Sequence, residues 1–266
     1  MKIGDKEEIK QSVRDRYGKI ARDEVKGCSP TPSSSCCSEP VFTPEMASTA
    51  MGYSRDEIDS LPEGANLGLG CGNPVAIASL KEGETVVDLG SGGGIDCFLA
   101  AKMVGEAGRV IGVDMTPDMV TKARKNAEKM ETDNVEFRLG EIEHLPVADE
   151  TADIIMSNCV INLSPDKASV YREAFRVLKP GGRLAISDIL ATTPLPDHIR
   201  NNLASISACV GGAATIDETR KTLEEAGFDN IKIKGKAESR ELIQEWSPGD
   251  DFWKYIVSAT IEAVKP

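Results

Sequence analysis

Val86-Val87-Asp88-Leu89-Gly90-Ser91-Gly92-Gly93-Gly94 is an apolar run that ends in an acid and passes directly into a glycine turn. Asp96 and the run Cys97-Phe98-Leu99-Ala100-Ala101-Lys102-Met103 follow with apolar residues at helical spacing, so the turn joins a buried strand to a helix. Residues without a Cβ let the backbone bend this sharply and let a ligand lie against it. A small molecule is expected at this turn.

Spacing decides which molecule, because several nucleotide-binding classes share a glycine-rich strand-to-helix turn. With Gly90 and Gly92 as the first two glycines of the dinucleotide pattern, the third falls on Ile95. The run reads Asp-x-Gly-x-Gly-x-Gly instead, which resembles motif I of class I S-adenosylmethionine-dependent methyltransferases.

From this turn onward strand and helix signals alternate. Strands are expected at 86–89, 110–113, 135–139, 154–156 and 184–189. Helices are expected after Gly94, from Thr116-Pro117, and from Ser164-Pro165. Alternation of this kind predicts an α/β, Rossmann-like fold, with a mostly parallel sheet and helices on both faces. Ligands bind such sheets at the carboxyl ends of the strands. Those ends carry Asp88, Gly90, Gly92 and Gly94, then Asp114 and Met115, then Gly140, Ile142 and Glu143, then Asn158. Asp114 can accept hydrogen bonds from both hydroxyls of a ribose, Ile142 and its polar flank can hold an adenine, and Asn158 can contact a methionine end. At the amino end, Ile9, Val13, Tyr17 and Ile20 share one helix face. Tyr17 either closes over the cofactor or serves as a core aromatic.

A chain of 266 residues with 40% hydrophobic residues can bury a real core as one large domain with an appendage. The formal net charge of -12 disfavours nucleic acid or an anionic membrane as a partner. The charged start and the absence of a long apolar run lead to the expectation of a soluble, cytoplasmic protein.

Seven cysteines stand at 28, 36, 37, 71, 97, 159 and 209, without a CxxC pair, and there are only two histidines, His144 and His198. A zinc finger and a histidine-based mechanism are therefore both disfavoured, and no metal site is expected. Cys28, Cys36 and Cys37 ride on a Pro/Ser-rich linker. Cys71 sits between glycines in Gly68-Leu69-Gly70-Cys71-Gly72-Asn73-Pro74, either as an accessible thiol or as an incidental loop residue. Cys159 follows the fourth strand, Cys209 precedes Gly211-Gly212, and Cys97 reads as a core residue.

Tyr17-Gly18-Lys19-Ile20-Ala21, Gly68 to Pro74, the motif I run, Ser157 to Leu163 and Ser207 to Gly212 together resemble an arsenite S-adenosylmethionine methyltransferase of the microbial type. The resemblance implies that thiols matching Cys71, Cys159 and Cys209 bind trivalent arsenic, as arsenite or methylarsenite. It also implies that a further N-terminal cysteine, Cys36 or Cys37 or else Cys28, supports redox turnover with an external thiol reductant of thioredoxin or glutathione type. The expected division is 1–42 for the first helix and linker, 43–190 for the S-adenosylmethionine-binding core, and 191–266 for a C-terminal α+β substrate-binding region. Soft trivalent arsenic bonds strongly to sulfur, so the chemistry of thiols agrees with that use. Two rival functions are a C- or O-methyltransferase of the quinone-biosynthesis type with incidental cysteines, and a non-catalytic metalloid-binding thiol sensor.

Overall fold

The computed structural model describes residues 6–22, 43–237, 239–246 and 251–266, so Cys28, Cys36 and Cys37 lie outside the described residues. The helices are α1 (Lys6–Ala21), α2 (Pro44–Met51), α3 (Arg55–Asp59), α4 (Pro74–Ala78), α5 (Ile95–Val104), α6 (Pro117–Met130), α7 (Lys167–Val177), α8 (Asp197–Arg200), α9 (Leu203–Ser207), α10 (Ile216–Ala226) and α11 (Ser239–Trp246). The strands are β1 (Thr85–Leu89), β2 (Arg109–Asp114), β3 (Val135–Leu139), β4 (Ala152–Asn158), β5 (Leu178–Ala191), β6 (Asp229–Lys236) and β7 (Ile256–Val264).

The seven strands among the described residues form one sheet in the order β3-β2-β1-β4-β5-β7-β6. The first five in sequence pair in parallel, and β7 lies antiparallel between β5 and β6. Successive side chains of a strand face opposite sides, and the core divides accordingly. Val87, Leu89, Ile111, Ile155 and Ile186 pack with Val170 and Ala174 of α7 and Leu223 of α10. Val86, Val110, Ile154, Met156 and Ala185 pack on the other face with Phe98 of α5 and Val120 of α6. Because the central strands are buried on both faces, β1 and β4 read as nearly continuous apolar runs. Burying each large aliphatic side chain is worth roughly 1.5–3 kcal/mol, so a one-residue slip that moved Asp88 onto the wrong face would forfeit several such terms.

Side-chain caps fix several helix ends. Ser54 and Glu57 form a reciprocal capping box, as do Thr215 and Glu218, and Gly227 closes α10 in the left-handed conformation. One helix start differs from expectation: α7 begins at Lys167 with Asp166 as its cap, not at Ser164-Pro165. The Ser164 hydroxyl is already engaged, donating to Glu143 Oε1 at 2.6 Å and accepting from Asp166 N at 3.0 Å.

Residues beyond 191 complete the same sheet through β6 and β7 and contribute α8 and α9. Helix α1 packs against α6 and α9. No helix among the described residues is long and apolar enough to cross a membrane.

Candidate active site

The strand order reverses between β1 and β4, which is where α/β sheets open a crevice. A cavity of about 380 Å³ occupies this position, within the range of small-molecule sites. Its wall brings together Tyr17, Gly90, Gly92, Asp114, Met115, Ile142, Glu143 and Asn158 from the sequence expectation, with Cys159 and Cys209. Asp88, Gly94 and Gly140 are not on the wall. Asp88 is buried beneath the turn and accepts from Cys97 Sγ at 3.2 Å, Gly94 caps α5, and Gly140 packs against Pro146.

Beside the glycine turn the wall carries polar groups. Gly92 has φ +52°, and a Cβ there would meet nothing within 4 Å, so the turn leaves its space open. Ser91 Oγ is buried without a hydrogen-bond partner among the described residues and belongs to the same wall. Asp114 accepts from Gly92 N at 3.0 Å and from Thr116 N at 2.8 Å, one bond to each carboxylate oxygen. Each oxygen keeps a second lone pair, which suits a vicinal diol. This cradle fits the ribose and methionine portions of S-adenosylmethionine.

Asp96, also on the wall, is held at about pKa 6 by burial, although it accepts from Tyr53 Oη at 2.7 Å and from Asn158 Nδ2 at 3.3 Å. Burial also pushes Asp88 and Asp114 upward. A cationic ligand set among three buried carboxyls favours their charged forms.

The thiols expected to act together do converge. Cys71 arrives on the glycine loop before α4, Cys159 on the turn after β4, and Cys209 on the turn after α9. The Sγ atoms of Cys71 and Cys159 and a carboxylate oxygen of Asp188 lie within 4.8 Å of one another. Cys209 Sγ donates to the Cys159 carbonyl oxygen at 2.7 Å and lies 3.9 Å from Tyr17 Oη. All three are free and buried, in an apolar cluster with Leu163, Ile199 and Val210. Cys159 and Cys209 line the cavity, whereas Cys71 stands behind them. Burial pushes the Cys71 thiol up, and hydrogen bonding with Cys209 and Cys71, reinforced by burial, pushes Cys159 well above the ordinary thiol range. Cys71 and Cys159 therefore rest as neutral thiols, and Cys209 holds its S–H against the Cys159 carbonyl. Cys97 lies apart, fully buried in α5 as expected of a core residue.

Three residues at the site were not singled out from sequence. Asp188 accepts from Ile161 N, Asn162 Nδ2 and Ile189 N, and burial lifts it to about 7. An acid inside the apolar run of β5 was its visible signal. Asp96 had a comparable signal, an acid in the first turn of an otherwise apolar helix. Tyr53, which bonds Asp96, carries none, because a tyrosine in a loop between two short helices has no pattern to break.

A family model described as a methyltransferase domain matches residues 80–227. The chain is 50% identical over 98% of its length to the arsenite methyltransferase of Halobacterium salinarum, 38% identical over 84% to that of Aquipseudomonas alcaligenes, and 36% identical over 83% to that of Homo sapiens. It spans 68, 63 and 58% of those proteins, respectively. Among solved structures it resembles an arsenic (III) S-adenosylmethionine methyltransferase from Chlamydomonas reinhardtii, with 32% identity, 82% of this chain and 73% of that chain covered, and a TM-score of 0.61.

Proposed function

Because the chain belongs to the arsenite methyltransferase family, we propose that it methylates trivalent arsenic held by Cys71, Cys159 and Cys209, using S-adenosylmethionine as the methyl donor. The observation that carries this reading is the convergence of three buried thiols from three separate elements, two of them on the wall of the cavity that also holds the glycine turn and the third beside Cys159. Incidental cysteines, as in a quinone-type methyltransferase, have no reason to meet there.

The neutral thiols match a neutral substrate. Each S–H gives its proton to a departing hydroxide of arsenous acid, so three thiols and one As(OH)₃ yield three As–S bonds and three waters. Fixing arsenic at three points orients its lone pair, and holding it beside the donor makes the encounter effectively intramolecular. When bound, S-adenosylmethionine supplies an electrophilic methyl group on a sulfonium. The Asp114 carboxylate is suited to hold the ribose, Ser91 Oγ offers an unused hydroxyl, and Asp96 offers a carboxylate to the cationic portion. Tyr17, across from Cys209, helps to close the site from α1. No side chain has to act as a general base on arsenic, whose lone pair is already free.

Transfer leaves arsenic pentavalent, and its return to the trivalent state takes two electrons. Two thiols supply them by forming a disulfide, a role for Cys36, Cys37 or Cys28 of the linker, and an external thiol reductant then restores the cysteines. Incubation with arsenite, a reducing thiol and S-adenosylmethionine carrying a labelled methyl group tests the proposal by speciation of the products. Labelled methylarsenicals are expected. Arsenite binding without any labelled product would assign the chain to a metalloid sensor instead.

A further inference from the structure

Resting on the function proposed above, we infer that Asn158 is a positioning residue for the Cys71 thiol, clasping the Gly70–Gly72 loop to the end of β4, and not a contact for the methionine end of the donor. Its amide hydrogens are used up within the protein, and its oxygen is turned to the Cys71 backbone. Oδ1 accepts from Cys71 N at 3.0 Å, while Nδ2 donates to Gly72 O at 2.8 Å and Tyr53 Oη at 2.9 Å, with Asp96 Oδ2 at 3.3 Å. The orientation is forced, since exchanging the amide nitrogen and oxygen would set a donor against the Cys71 N–H and an acceptor against the Gly72 carbonyl. Tyr53 Oη in turn donates to Asp96 Oδ1 at 2.7 Å, so the clasp is braced from beneath.

The loop is shaped to receive it. Gly70 has φ +128°, and a Cβ there would lie 2.8 Å from the Asn158 amide, so the amide fits against bare backbone. On the other side Ser258 Oγ donates to the Cys71 carbonyl oxygen at 2.7 Å. Cys71 is thus fixed through its own N–H and C=O, between β4 and β7. Because Asn158 adjoins Cys159 in the chain, one residue sets the separation of two arsenic-binding sulfurs. That separation matters for the third As–S bond, which arsenite forms and a methylated arsenical, with only two exchangeable positions, does not.

The test is Asn158→Ala, read by arsenic X-ray absorption, by calorimetry with S-adenosylmethionine, and by turnover on arsenite and methylarsenite. The expected result is a fall from three As–S contacts to two. A loss of about 10²-fold in kcat/KM on arsenite is expected, as for displacement of a reacting group by an ångström. The loss on methylarsenite should be much smaller, and the calorimetric Kd for the donor, measured at pH 8 so that Asp96 stays charged without its Asn158 hydrogen bond, should change less than about threefold, since no donor contact has been removed. Tyr53→Phe, which keeps the ring but removes the brace, should shift the arsenite-to-methylarsenite ratio in the same direction by a smaller factor, and it decides the matter if Asn158→Ala does not fold. Weakened donor binding with three As–S contacts retained would overturn the inference, as would an unchanged substrate ratio in both variants. A wild-type protein that binds arsenic through three sulfurs but forms no methylated product would defeat the proposed function alone, because the absorption measurement needs no turnover.

Discussion

The Cys209 thiol donates to the carbonyl oxygen of Cys159 at 2.7 Å, and both residues hold left-handed backbone, with φ of 63° and 58°. That conformation costs a non-glycine residue roughly 1–2 kcal/mol, and here it is spent on two adjacent turns whose side chains line one cavity. Cys159→Ser and Cys209→Ser keep the size and remove the soft donor. Each should lower arsenite methylation by about 10²-fold or more through lost positioning of arsenic, with little change in the melting temperature. Cys97→Ser keeps a donor to Asp88 and should retain turnover, measured by the rate of methylarsenical formation.

Neutral thiols make a calorimetric prediction. Free thiols titrate near about 8.5, the upward shifts of Cys71 and Cys159 keep them protonated below that, and Cys209 carries the proton that it donates to the Cys159 carbonyl. Each proton leaves as part of a water, so arsenite binding at pH 7 should neither release nor take up protons, and the binding enthalpy should be the same in buffers of different ionisation enthalpy. Proton uptake would show that the site rests as thiolates.

Much of this arrangement was legible in the sequence for a local reason. Val86 to Gly94 carries strand, turn and helix start within nine residues, and each signal is a backbone preference that tertiary packing does not reverse. Ser54 with Glu57, and Thr215 with Glu218, stand at capping-box spacing, a local signal of the same kind. The helix expected from Ser164 starts later because Glu143, distant in sequence, occupies that hydroxyl. Asn158 was readable as a strand-end residue, but its partners at Tyr53, Cys71 and Gly72 come from a loop with no period. Nor does the sequence say that Cys71 stands behind Cys159 and Cys209, since that ordering follows from where β7 and α9 pack.

The carboxyl cluster predicts how donor affinity varies with pH. Asp96 is raised to about 6 by burial, with Tyr53, Asn158 and Asp88 around it. A cationic ligand stabilises the carboxylate, so binding lowers this pKa and expels a proton wherever the free carboxyl is protonated. Affinity for S-adenosylmethionine should rise as pH increases through about 6 and level off above it. The demethylated product, which lacks the sulfonium charge, should show a shallower rise. Calorimetric titration from pH 5 to pH 8 checks this, and a flat profile for both ligands would remove Asp96 from the donor site.

Gly92 and Gly94 should fail in different ways. At Gly92 a side chain would enter open space, at a backbone cost of roughly 1–2 kcal/mol, so Gly92→Val should fold and lose donor binding. At Gly94, φ is +98° and a Cβ would come within 2.6 Å of the Phe98 ring and 2.9 Å of the Phe137 ring. Those rings pack edge to face at 5.7 Å in the core behind the turn. Gly94→Val should therefore lower the melting temperature or prevent folding, whereas thermal melts of Gly92→Val should stay close to wild type.

Helix α1 supplies Lys10, Val13, Arg16 and Tyr17 to the cavity wall, so loosening its hold on the rest of the protein is expected to speed the release of a ligand beneath it. The helix is tied down by charge: Lys10 Nζ lies 2.6 Å from Glu141 and 3.5 Å from Glu143, and Arg14 lies 2.6 Å from Glu141. Burial disfavours the Lys10 ammonium, but its hydrogen bond to Glu141 and the charges of Glu143 and Glu141 outweigh that and raise its pKa. The Lys10 side chain is 13% exposed and that of Glu143 5%, so salt screens this contact less than an open surface pair. Lys10→Ala leaves the Glu143 carboxylate with a hydroxyl from Ser164 and no ammonium, and loosens the middle of the helix. Donor release, followed by chase with unlabelled S-adenosylmethionine, should accelerate about tenfold, the effect of losing one partly buried charged hydrogen bond. Arg14→Ala removes a more exposed contact and should accelerate release by a smaller factor that shrinks further at high salt. Release rates unchanged in both variants would mean that the donor leaves by another route and that α1 does not gate the site.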